Sequence, residues 1–129
     1  MKKKILVLSQ ERYIRNLLKS ELAEDGYEVV LANTGRSAVG LLRRSPADLV
    51  LVDTVLSDLD GEEILRRFEE AGAPSPIVVW SGKESAEDFW SVDAYIMKTP
   101  NFFKIRSKIN ELCPSEEDRL QPLSIPGRR

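Results

Sequence analysis

Three apolar runs in this 129-residue chain end on side chains able to do chemistry. Leu49-Val50-Leu51-Val52 ends on Asp53, Ile77-Val78-Val79-Trp80 on Ser81, and Ala94-Tyr95-Ile96-Met97 on Lys98. A fourth run, Ile5-Leu6-Val7-Leu8, ends on the neutral pair Ser9-Gln10, followed by Glu11. A carboxylate at the tip of a buried run is costly unless it reaches solvent, a cation or hydrogen-bond donors. Asp53 is therefore either a strand-end cap or the reactive group of a site. A carboxylate, a hydroxyl and an ammonium converging on one crevice would supply a nucleophile, a donor and fixed positive charge. Phosphoryl transfer needs that set.

The elements that must position these residues follow from hydrophobic periodicity. Lys4–Ser9, Leu49–Asp53 and Ile77–Ser81 are nearly continuous in hydrophobicity, as strands buried on both faces of a parallel sheet are. Tyr27–Ala32 and Ala94–Lys98 are more mixed, which suits positions nearer the sheet edges. Helical spacing links Ile14, Leu17, Leu18 and Leu22, with Gly26 as the stop. Ala38, Val39, Leu41 and Leu42 form a second helix, N-capped by Thr34 and ended before Pro46. Ile64, Leu65 and Phe68 form a third, ended near Gly72, and Phe102, Ile105, Ile109 and Leu112 form the last, after Pro100-Asn101. Between Ser81 and Asp93 there is room for only about two turns of helix, a shortened fourth helix. Strand and helix alternating in this way predict right-handed crossovers and an α/β, doubly wound parallel sheet, with the site at the carboxyl ends of the strands.

Composition narrows the chemistry. At 42% hydrophobic and 31% charged residues, the chain reads as one globular domain. A net charge of −2 gives no reason to expect nucleic acid, and no run approaches a membrane span. Histidine is absent and Cys113 is the lone cysteine, which excludes the familiar zinc sites, His-dependent triads and any phosphohistidine role. A lone cysteine also fits a reducing, cytoplasmic location. The domain is expected over residues 1–113, with the Pro- and charge-rich 114–129 as a disordered tail.

Four stretches, KKILVL, LVLVDTVLSDLDG, VVWSG and DAYIMK, occur in this order at strand ends. Together they resemble the response-regulator receiver domains of two-component signalling. The resemblance implies a flavodoxin-like five-stranded sheet of order 2-1-3-4-5. It implies that Asp53 is the phosphoacceptor, that Ser81 and Lys98 bind the phosphoryl oxygens, and that Tyr95 and Ser81 act as switch residues. It further implies a histidine kinase or phosphotransfer protein as donor and a downstream protein as target, in a signalling module that is not an enzyme. One part of the pattern is missing. Two adjacent acids normally follow the first strand and bind Mg²⁺, whereas here Ser9-Gln10 precede Glu11, leaving a degenerate metal site of Ser9, Gln10, Glu11 and Val55. Neutral side chains offset Mg²⁺ dehydration poorly, so weak Mg²⁺ binding at most, and no strongly bound cofactor, is expected. Lys98 is also followed by Thr99 before Pro100, so a trans peptide is expected there.

The expected function is a stand-alone receiver in a phosphorelay, signalling by protein–protein contact without nucleic acid or membrane. The alternative is a phosphorylation-independent pseudo-receiver, a docking module without metal. A small flavodoxin-like enzyme or nucleotide binder fits poorly, because SQERY rather than a Gly-rich loop follows the first strand. Lys98 is expected to pair with Asp53 under either main reading. Asp58 and Asp60 are read as serving the turn before Gly61, Phe89 and Trp90 as filling core, and Cys113 as a free thiol.

Overall fold

The computed structural model describes residues 2–53, 61–72, 76–81, 93–97 and 102–115. Strands β1 (Lys4–Leu8), β2 (Glu28–Ala32), β3 (Leu49–Asp53), β4 (Ile77–Ser81) and β5 (Ala94–Met97) form one sheet. All pair in parallel, in the order β2-β1-β3-β4-β5. The described helices are α1 (Arg12–Glu24), α2 (Gly35–Arg44), α3 (Gly61–Glu70) and α4 (Phe103–Leu112). The shortened fourth helix of the sequence reading, with Phe89 and Trp90, falls in 82–92, outside the described residues, so α4 here is the last helix. Asp58, Asp60, the Lys98-Thr99 peptide and residues 116–129 also lie outside them.

Alternation along the strands builds two separate cores. Ile5, Val7, Leu49, Leu51, Val78 and Trp80 face α1 and α4, where they meet Leu18, Leu22, Ile105 and Ile109. Leu6, Leu8, Val50 and Val52 face the other way, onto Ala38, Val39 and Leu42 of α2 and Ile64 and Phe68 of α3. Every residue of β3 is buried, as the middle strand of a two-faced sheet requires, while β2 is only partly covered at one edge.

Local signals act where the sequence places them. The Thr34 hydroxyl accepts from the Ser37 amide at 3.0 Å and caps α2. Gly26 takes φ +95°, closing α1 with its amide on the Ala23 carbonyl. The first strand stops one residue short of the predicted Ser9, although the Ser9 amide still donates to Ala32 of β2 at 3.0 Å. Packing continues past α4: Cys113 and Ser115 are buried, and the Tyr27 hydroxyl donates to the Cys113 carbonyl.

Candidate functional site

Register brings the first two site residues together. Leu8 of β1 lies opposite Val52 of β3, so the next residues, Ser9 and Asp53, emerge side by side at the carboxyl ends of adjacent strands. Val7 and Leu51 both point into the α1/α4 core, and two residues further on Ser9 and Asp53 fall on that same face. The chain passes from β1 to β2 on one side and returns as β3 on the other. The crevice between β1 and β3 is thus the switch point of the sheet, where doubly wound folds place their ligands.

Asp53 is 1% exposed and Ser9 is fully buried. The Ser9 hydroxyl donates to Asp53 Oδ2 at 2.9 Å, a hydrogen bond strengthened by the charge of the acceptor. Ser9 is one of the polar partners of Asp53 and not the sum of them. The serine is itself held on every side. Its Oγ accepts from the Glu11 amide at 3.3 Å, its carbonyl accepts from Arg15 Nη1 at 2.8 Å, and its amide is tied to Ala32. Among the described residues no buried side-chain N or O atom lacks a partner.

The other predicted site residues are placed as follows. Gln10 and Glu11 are exposed; Glu11 stands at the N-cap of α1 and contributes its amide, not its carboxylate, to the pocket. The backbone of Ser81 ends β4, opposite Met97, and that of Tyr95 pairs with Val79; their side chains lie outside the described set. Lys98, the expected partner of Asp53, and Val55 lie outside the described residues. Sequence reasoning missed Arg15, whose hydrogen bond to Ser9 arises from the first turn of α1 folding back over the end of β1. An arginine six residues past Ser9, in the first turn of the following helix, was the only signal for it.

The donor set does not fit the Mg²⁺ of the receiver pattern. Mg²⁺ needs near-octahedral oxygen ligands with carboxylates to offset its dehydration. Among the described residues no group of three His, Cys, Asp or Glu side chains is placed to hold a metal. The Ser9 oxygen turns its proton, rather than a lone pair, toward Oδ2 of Asp53.

Comparison with known proteins agrees with this layout. The family model described as the response regulator receiver domain matches residues 5–110. The transcriptional regulatory protein PcoR of Escherichia coli is 27% identical over 114 residues, 84% of this chain and 50% of that protein. The response regulator MprA of Mycolicibacterium vanbaalenii is 34% identical over 85 residues, 66% of this chain and 37% of that protein. The chain thus spans half or less of the length of these curated relatives. Among solved structures, response regulator TrrA of Thermotoga maritima, in complex with Mg²⁺-BeF, matches with a TM-score of 0.78 at 30% identity, over 85% of this chain and 98% of that one. Chemotaxis protein CheY4 of Vibrio cholerae, at 20% identity, TM-score 0.76, and 87% and 99% coverage, shares the fold. No described helix is long and apolar enough to cross a membrane. With five parallel strands in the order 2-1-3-4-5, an acid at the end of the middle one, and a family model matched over residues 5–110, the chain belongs to the response-regulator receiver domains.

Proposed function

We propose that this receiver is a phosphoryl acceptor. Asp53 takes a phosphoryl group from a histidine kinase or phosphotransfer protein, and the modified domain signals by contact with a downstream protein. The observation that carries this reading is a carboxylate buried at the carboxyl end of the central strand, at the switch point of the sheet. In the step itself a carboxylate oxygen of Asp53 attacks phosphorus in line. The P–N bond to the donor imidazole breaks with its electron pair going to nitrogen, and an acyl phosphate remains on Asp53. The Ser81 hydroxyl and the Lys98 ammonium are the groups assigned to the phosphoryl oxygens, and Tyr95 with Ser81 the switch. The domain is a module that is modified and read, not an enzyme that turns over substrate. The proposal holds equally for a receiver acting alone and for one joined to an output domain.

Incubation with acetyl phosphate followed by intact-mass measurement tests the proposal. One added phosphoryl group, labile to hydroxylamine and absent from D53N, is expected. A second reading, a phosphorylation-independent docking module, is favoured by the hydroxyl already bonded to Oδ2. No adduct from acetyl phosphate or from a phosphorylated phosphotransfer protein would replace the first reading with the second.

A further inference from the structure

We propose that the Ser9 hydroxyl, oriented by the Glu11 amide, takes the place of a divalent cation beside Asp53, so that this receiver holds its carboxylate in place without Mg²⁺. A buried carboxylate must be served by cations or donors. Here a donor is built into the chain. The Ser9 hydroxyl donates to Oδ2 across 2.9 Å, and a cation approaching that oxygen from the β1 side at ~2.0–2.1 Å would meet a donor instead of a ligand.

Three further contacts keep the hydroxyl where it is. The Glu11 amide takes up a lone pair of Oγ, which turns the proton toward Asp53. The Ser9 amide is pinned to Ala32, and the Ser9 carbonyl to Arg15. The backbone therefore cannot swing the side chain aside. Arg15 also anchors a permanent positive charge on the residue that would have to act as ligand, which opposes a second cation there. Gln10 and Glu11, the next residues in line, point their side chains to solvent. The inference deepens the phosphoacceptor reading, and only its last measurement rests on that reading.

The test follows the Asp53 carboxyl carbon by NMR in ¹³C-labelled protein, at fixed pH, during titration with millimolar Mg²⁺. In the wild type the resonance should not move. S9T, which keeps the hydroxyl, should reproduce the wild-type position, whereas S9A should shift it in the absence of any metal. S9D/Q10D should show a saturable Mg²⁺-dependent shift and a Tm higher by several degrees at saturating Mg²⁺. With acetyl phosphate, the wild type should react equally in Mg²⁺ and in chelator, while Mg²⁺ should accelerate S9D/Q10D by roughly 10²-fold. A saturable shift in the wild type would overturn the proposal, as would an S9A resonance identical to the wild type. If S9D/Q10D does not fold, the wild type, S9A and S9T decide the matter. If the wild type gives no adduct in either condition yet keeps its Mg²⁺-insensitive, Ser9-dependent resonance, the phosphoacceptor reading fails and this one stands.

Discussion

At the scale of single residues, two carboxylates of this domain are held in opposite ways. Asp53 is buried and served by a neutral hydroxyl, whereas Glu63 on α3 sits at the surface between two guanidiniums. Hydrogen bonds from Arg66 and then Arg67 hold the Glu63 carboxyl down to about 2. A carboxyl depressed in the folded state contributes stability above its ordinary value and loses it as pH falls through the folded one. Urea midpoints measured from pH 5 downward should therefore show a loss for the wild type between about 4.5 and 2 that E63Q lacks. Parallel curves would refute it. Added salt should shrink the difference, because the pair faces solvent. The Thr34 cap gives a second measurement: T34A should lower stability by about 1 kcal/mol in urea titration. Thr34 could be read directly from sequence, because a cap is a contact three residues long. The Ser9–Asp53 bond could not, because its partners are 44 residues apart and meet only through strand register. What the sequence did disclose was the absence of acids at Ser9 and Gln10, not what the hydroxyl does instead.

At the scale of elements, two glycines should respond to the same substitution with opposite signs. Gly40 lies inside α2 with open space where a Cβ would stand, so G40A should stabilise the domain by about 0.5–1 kcal/mol. Gly72 follows α3 at φ +73°, also with open space, so G72A meets only backbone strain and should cost about 1–2 kcal/mol. Differential scanning calorimetry of the two variants decides both; equal shifts would mean that neither backbone argument holds. Elements were the most legible level of this chain. Continuous apolar runs marked the central strands β1, β3 and β4, and mixed runs marked the edges β2 and β5, because burial on two faces leaves no polar positions. The boundaries of β1 and β2 moved by one residue: Ser9 and Tyr27 fit a strand by composition, but past Leu8 only the Ser9 amide still reaches β2, and the Tyr27 amide turns back to Leu22 of α1.

At the scale of the whole molecule, long-range contacts that leave no local trace close the structure. Arg106 of α4 donates to Asp25 and Glu21 at the end of α1, and the bond to Asp25 raises its pKa further. The Tyr27 hydroxyl, at the foot of β2, donates to the Cys113 carbonyl and lies 3.2 Å from the Asn110 side-chain amide. Burial, with Asp48 nearby, pushes the Cys113 thiol up, so its thiolate is scarce and the residue should resist alkylation in the native state. Y27F should cost about 1 kcal/mol and speed Cys113 labelling by about five-fold, read by mass spectrometry. Unchanged labelling would show that the hydroxyl does not hold α4 down. The tyrosine clamp also sets a direction. Cys113 meets the sheet beside Lys3 and Asp48, at the strands' amino ends, whereas Asp53 stands at their carboxyl ends. A five-residue strand separates the two poles, roughly 16 Å. The described chain therefore leaves α4 at the pole of the sheet opposite Asp53, and for the carboxyl end of α4 to register a change at that carboxylate, the change must travel the length of the strands between them.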